Sequence, residues 1–85
     1  MKEFEYVITD PVGIHARPAT LLVKHASAFS SNIKLGHNGR EVNAKQILGV
    51  MSLGVKKGET VIVKAEGDDE EKAVADLEAF LKENM

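Results

Sequence analysis

The chain has no cysteine, which removes disulfide frameworks, thiolate nucleophiles and cysteine-based metal sites. Aromatic residues are scarce, with three Phe and one Tyr among 85 residues. They fall mostly at core-type positions, so a sheet that stacks single-stranded RNA on exposed rings fits poorly. Charge of one sign is lacking too. Eleven Lys and Arg against thirteen Asp and Glu leave a formal net charge of −2, which argues against nucleic-acid binding through a broad basic surface. No apolar run approaches membrane-spanning length. Met1-Lys2-Glu3-Phe4-Glu5-Tyr6 carries charge at Lys2, Glu3 and Glu5 where a secretory signal would turn apolar. There is no Gly-rich nucleotide loop of the P-loop kind and no group of carboxylates arranged for magnesium. No cofactor and no metal ion are expected. What remains is a cytoplasmic protein of one domain, residues 1–85. Its core would cover only roughly 60–65% of the unfolded chain's surface, too little to enclose a deep ligand cavity.

Periodicity then separates the elements. Phe4, Tyr6 and Ile8 recur at every second position and predict a first strand, ended by Asp10-Pro11-Val12-Gly13. From Ala16 to about Ala28, Ala19, Leu22, Val23 and Ala26 line one face of a helix, with Pro18 in its first turn, where no intrahelical bond is lost. Ile33 and Leu35 mark a short strand, and His37-Asn38-Gly39 signals a hairpin into Arg40-Glu41-Val42-Asn43. Gln46 to Leu53 is a short apolar helix, and Thr60 to Ala65 is a strand. Asp68-Asp69-Glu70-Glu71 opens a last helix, with Asp68 and Glu71 spaced as a capping box and Ala73, Val74, Leu77, Phe80 and Leu81 as its buried stripe. The order is βαββαβα, an α+β domain.

The segment most informative about chemistry is Gly13-Ile14-His15-Ala16-Arg17-Pro18-Ala19. It sets His15 just before the first turn of a helix, with Arg17 two residues on. A helix N-terminus offers unpaired backbone N–H groups and partial positive charge, a setting suited to phosphate. With His15 as the cap, the N–H groups of Ala16 and Arg17 point toward anything attached to its ring. The Arg17 guanidinium adds a planar fork for phosphate oxygens. Reversible phosphoryl transfer through His15 is the chemistry this implies. It needs alignment and electrostatic support more than a second covalent group. His25, within the helix, and His37, in the hairpin, lack this setting and are expected to be surface residues.

Gly-Ile-His-Ala-Arg-Pro-Ala, followed by Asn43-Ala44-Lys45 and Gly49-Val50-Met51-Ser52-Leu53-Gly54, resembles the HPr family, the histidine-containing phosphocarriers of the bacterial phosphoenolpyruvate-dependent sugar phosphotransferase system. The resemblance spans essentially the whole chain. It implies an open-faced β-sandwich, a four-stranded antiparallel sheet with three helices on one face. It also implies a monomeric phosphoryl carrier rather than a stand-alone enzyme, with His15 as acceptor and Arg17 beside the phosphate. Enzyme I would be the donor and sugar-specific enzyme IIA domains the recipients.

The helices suggest where such partners dock. Arg17, Leu21, Lys24 and Ala28 fall opposite the apolar face of the first helix, and Thr20 adjoins them. In the second helix, Ile47, Leu48, Val50, Met51 and Leu53 are too many apolar residues for one face. With Val50 and Leu53 inward, Ile47, Leu48 and Met51 form an outward patch beside Gly49. The resemblance assigns this surface to enzyme I and enzyme IIA, and cations at Arg17, Lys24 and Lys45 would orient acidic partners.

One departure stands out. HPr proteins of low-GC Gram-positive bacteria carry a serine at the start of the second helix that a regulatory kinase phosphorylates. Here the residue is Gln46, which has no hydroxyl. The intact histidine motif argues against a regulatory paralogue that has lost its acceptor, while a nitrogen-related branch of the phosphocarriers stays open beside the sugar-specific one.

Overall fold

The computed structural model describes residues 1–85. Its elements are β1 (Lys2–Val7), α1 (Ala16–Ser27), β2 (Asn32–His37), β3 (Arg40–Asn43), α2 (Ile47–Ser52), β4 (Thr60–Glu66) and α3 (Glu70–Asn84). The strands form one sheet in the order β1-β4-β2-β3, antiparallel at every pairing. The architecture is the α+β open-faced sandwich that the pattern and the resemblance imply.

Alternation decides which face is covered. Val61, Val63 and Ala65 of β4 are buried, whereas Thr60 and Glu66 are exposed. Ile33 and Leu35 of β2 join the buried face, against Leu22 and Ala26 of α1 and Leu77, Phe80 and Leu81 of α3. Leu22, Leu35, Leu77 and Leu81 are fully buried, so truncating one to Ala would cost about 2–5 kcal/mol. On the uncovered face, Lys64 Nζ and Glu41 Oε2 pair at 2.6 Å. That hydrogen bond holds the Glu41 carboxyl below, and the Lys64 ammonium above, the ordinary range.

Two local expectations need correction. His37 is buried, not a surface residue. It continues the alternation of Ile33 and Leu35 onto the covered face, while Asn38 and Gly39, with φ of 52° and 81°, make the turn. Glu59 Oε1 lies 3.2 Å from its Nε2, out of line for a hydrogen bond. His25 lies at the surface as expected, half exposed; its Nδ1 is 2.8 Å from Asp76 Oδ2 and its ring 4.7 Å from that of Phe80, joining α1 to α3.

The start of α3 is the second. No capping box forms between Asp68 and Glu71; Asp69 is the N-cap residue, and its side chain does not cap its own helix. Its carboxylate instead accepts from the Ser31 hydroxyl and from the backbone N–H groups of Ser30 at 2.9 Å and Ser31 at 3.0 Å. The Ser31 hydroxyl bond, then the Ser30 backbone bond, pull the Asp69 carboxyl down to about 2 from an ordinary 3.8. The Glu70 carboxylate accepts from Gly67 N–H at 3.2 Å, so the first turn is tied by two side chains that the pattern had not paired.

Candidate active site

His15 is the N-cap residue of α1, with extended backbone (φ −115°, ψ −173°) and a side chain free of any capping bond. Its carbonyl accepts from Ala19 N–H at 3.0 Å. The backbone N–H groups of Ala16 and Arg17 have no acceptor within the chain, and Pro18 has none to offer. No acidic side chain occupies this first turn, so the helix carries no carboxylate of its own against its positive end. Arg17 is exposed and outside every ion pair in the chain. His15, Ala16 and Arg17 thus bring together a half-exposed imidazole, two free N–H donors and a free guanidinium.

The loop before the helix fixes the ring. Gly13 has φ +78° and lies so close to the next loop that a Cβ would come 2.3 Å from Val55 O. The Ile14 N–H donates to that same oxygen at 3.0 Å. Asp10, which the sequence reading did not single out, lies alongside: its Oδ1 accepts from Val12 N–H at 2.8 Å and is 3.9 Å from His15 Nε2. The signal available was the Asp-Pro-x-Gly turn, in which an aspartate commonly bonds the backbone two residues on. Met85, at the end of α3, holds the base of the loop: its carbonyl oxygen accepts from Thr9 N–H at 2.6 Å and Asp10 N–H at 2.8 Å, and from Thr9 Oγ1 at 3.0 Å.

The candidate docking residues separate into two groups. Thr20, Leu21 and Lys24 are exposed on α1, where Thr20 Oγ1 also donates to Ala16 O at 2.8 Å. On α2, Leu48 is 80% and Met51 40% exposed. Ile47 does not belong to that outward patch; it is half-buried and packs on the core. Gly49 also faces β3, where a Cβ would sit 3.4 Å from Val42 Cβ, in ordinary contact. Lys45 is half-buried, and its Nζ donates to Phe29 O at 2.7 Å, so its charge is held in one place. Gln46 is the exposed N-cap residue of α2 and makes no side-chain capping bond. No group of acidic and histidine side chains is arranged to hold a metal. The largest surface depression, about 500 Å³, is lined by Arg40, Glu41 and Lys64 on the uncovered sheet face and does not include His15.

A family model described as the PTS HPr component phosphorylation site matches residues 2–83. The chain belongs to the HPr family. It is similar to phosphocarrier protein HPr of Mycoplasma genitalium, at 49% identity over 99% of this chain and 97% of that one. Among solved structures, an HPr from Thermoanaerobacter tengcongensis superimposes with a TM-score of 0.92 at 49% identity, covering 96% of this chain and 92% of that one. The Bacillus subtilis catabolite-repression protein Crh, solved as a domain-swapped dimer, gives a TM-score of 0.78 at 39% identity, covering 100% and 98%. HPr is the phosphocarrier of the phosphotransferase system, and the geometry around His15 lies within the matched HPr segment.

Proposed function

We propose that residues 1–85 act as one phosphocarrier domain that accepts a phosphoryl group on His15 from phosphorylated enzyme I and passes it to sugar-specific enzyme IIA domains during phosphoenolpyruvate-dependent sugar uptake. The observation carrying this reading is the half-exposed His15 ring beside two unpartnered N–H groups at the start of α1. A carboxylate beside Nε2 repels a phosphoryl group arriving there, which favours Nδ1 as the acceptor atom. In the transfer, the Nδ1 lone pair forms the P–N bond while the bond from phosphorus to the enzyme I donor breaks. The N–H groups of Ala16 and Arg17 and the Arg17 guanidinium then face the added negative charge. Thr20, Leu21 and Lys24 with Leu48 and Met51 form the docking surface, with α2 supported from below by Ile47 and Gly49. The role implies the cytoplasm, and a monomer in solution.

The test is incubation with enzyme I and radiolabelled phosphoenolpyruvate, followed by mapping of the label. We expect one acid-labile phosphohistidine, at residue 15, and loss of all label in His15→Ala. Since the His15 side chain makes no capping bond, that variant should stay within about 0.5 kcal/mol of wild-type stability. Full labelling of His15→Ala would end the proposal. Similarity to Crh supports a second reading, a regulatory module that binds partners without turning over a phosphoryl group. A folded wild type that takes up no label would favour that module, and label passed only to a nitrogen-related acceptor would favour the nitrogen-related branch.

A further inference from the structure

We propose that Asp10 is a positioning residue for the phosphorylated state of His15, holding a proton on Nε2 while Nδ1 carries the phosphoryl group. The inference rests on the phosphocarrier reading above and goes beyond it in giving the ring's second nitrogen a partner.

Asp10 is unusually well fixed for a loop residue. Its N–H donates to Met85 O at 2.8 Å, its carbonyl accepts from Gly13 N–H at 3.0 Å, and its Oδ1 accepts from Val12 N–H at 2.8 Å. Two of these bonds fix the backbone and the third fixes one carboxylate oxygen, which stands 3.9 Å from His15 Nε2. That separation is too long for a hydrogen bond and short enough for direct Coulombic attraction. Elements packed against this loop carry other charges: Arg17 on α1, Lys56, Lys57 and Glu59 between α2 and β4, and Lys82 and Glu83 in the last turn of α3. Asp10 alone among them comes within ion-pair reach of the ring, and Glu59 is engaged with Lys56 N–H at 2.7 Å.

The chemistry gives that contact a purpose. When phosphohistidine delivers its group, the P–N bond breaks, its electron pair returns to Nδ1, and the phosphoryl group goes to the incoming nucleophile. With Nε2 protonated, the ring departs as neutral imidazole. Without that proton it would depart as an imidazolate anion, a far poorer leaving group. An adjacent carboxylate favours the protonated form. Asp10 therefore keeps the phosphoryl group transferable at higher pH, while the free N–H groups of α1 hold its oxygens.

Asp10→Asn tests this with little disturbance, since the amide oxygen can still accept from Val12 N–H. Wild type and variant are labelled by enzyme I with radiolabelled phosphoenolpyruvate and freed of enzyme I. Release of phosphate is then followed across about pH 5–9, where imidazole protonation changes. The variant should take up label, and its half-maximal release should move to lower pH by up to about one unit. At the alkaline end its release should be up to about tenfold slower, and added salt should narrow the difference. Superimposable pH profiles from labelled wild type and labelled variant would overturn the role of Asp10 and leave the carrier reading standing. A wild type that takes no label on His15 would overturn the carrier reading, and this inference with it.

Discussion

Gly13 and Val55 meet backbone to backbone: the Val55 carbonyl that accepts the Ile14 N–H stands where a Cβ on Gly13 would be, 2.3 Å away. The contact sets how the His15 loop rests on the segment between α2 and β4. Gly13→Ala must either push that segment back or give up the positive φ, a strain of about 1–3 kcal/mol before any clash is counted. Urea unfolding should show at least that loss, and phosphoryl uptake should slow because the ring shifts with the loop. Unchanged stability would mean that the loop is not held by this contact.

Arg17→Ala should slow phosphoryl transfer in both directions without abolishing it, because the N–H groups of Ala16 and Arg17 remain. Arg17→Lys should restore part of the rate, since a point charge cannot reproduce the planar fork. With Arg17 outside every ion pair, neither change should alter thermal unfolding. Rapid-quench transfer assays separate the outcomes; wild-type rates in Arg17→Ala would reduce the arginine to a solvated surface residue.

Asp69 gives the fold a pH dependence whose sign is fixed. Its folded value of about 2 lies below the ordinary 3.8, so its stabilisation is fully present above the ordinary value. It is lost as pH falls toward and through the folded one. Urea midpoints should therefore drop between about pH 5 and pH 2, and Asp69→Asn should drop less over that range. The gap between wild type and variant closes at the acid end. Parallel curves would show that the Ser30 and Ser31 bonds do not survive in solution.

Gln46 separates helix capping from docking. An aspartate is a far better N-cap than glutamine, so Gln46→Asp should raise stability by about 0.5–1 kcal/mol. It also sets a charge beside Leu48 and Met51, where burial against a partner makes an unpaired carboxylate costly. Calorimetric titration with enzyme I should show weaker binding by the more stable protein. Equal affinity would remove α2 from the docking surface. A hydroxyl-requiring regulatory kinase should leave the wild type unmodified and act on Gln46→Ser.

Periodicity made the seven elements legible, and the glycine-to-alanine segment around His15 made the start of α1 and its unpaired N–H groups legible, because both signals are local. Contacts between distant residues were not. Asp69 reaches Ser30 and Ser31 from 39 and 38 residues away, and no spacing rule pairs them; the same holds for Lys45 and the Phe29 carbonyl. His37 could have been placed, since Ile33 and Leu35 already set the inward phase of β2, but the polar side chain and the hairpin signal pointed outward. In α2 the surplus of apolar residues was correctly read as exposure. Its share was overdrawn at Ile47, because a helix of six residues beside a strand buries more than one line of side chains.

The strand order has a consequence for how the loop before α1 is assembled. β1 pairs only with β4, so Lys2–Val7 has no sheet neighbour until Thr60–Glu66 is in place. The loop carrying His15 hangs from that strand, and its base is bonded to Met85. The setting of His15 thus depends on segments far apart in the sequence, and a partly folded chain in which β1 has not closed onto β4 lacks it.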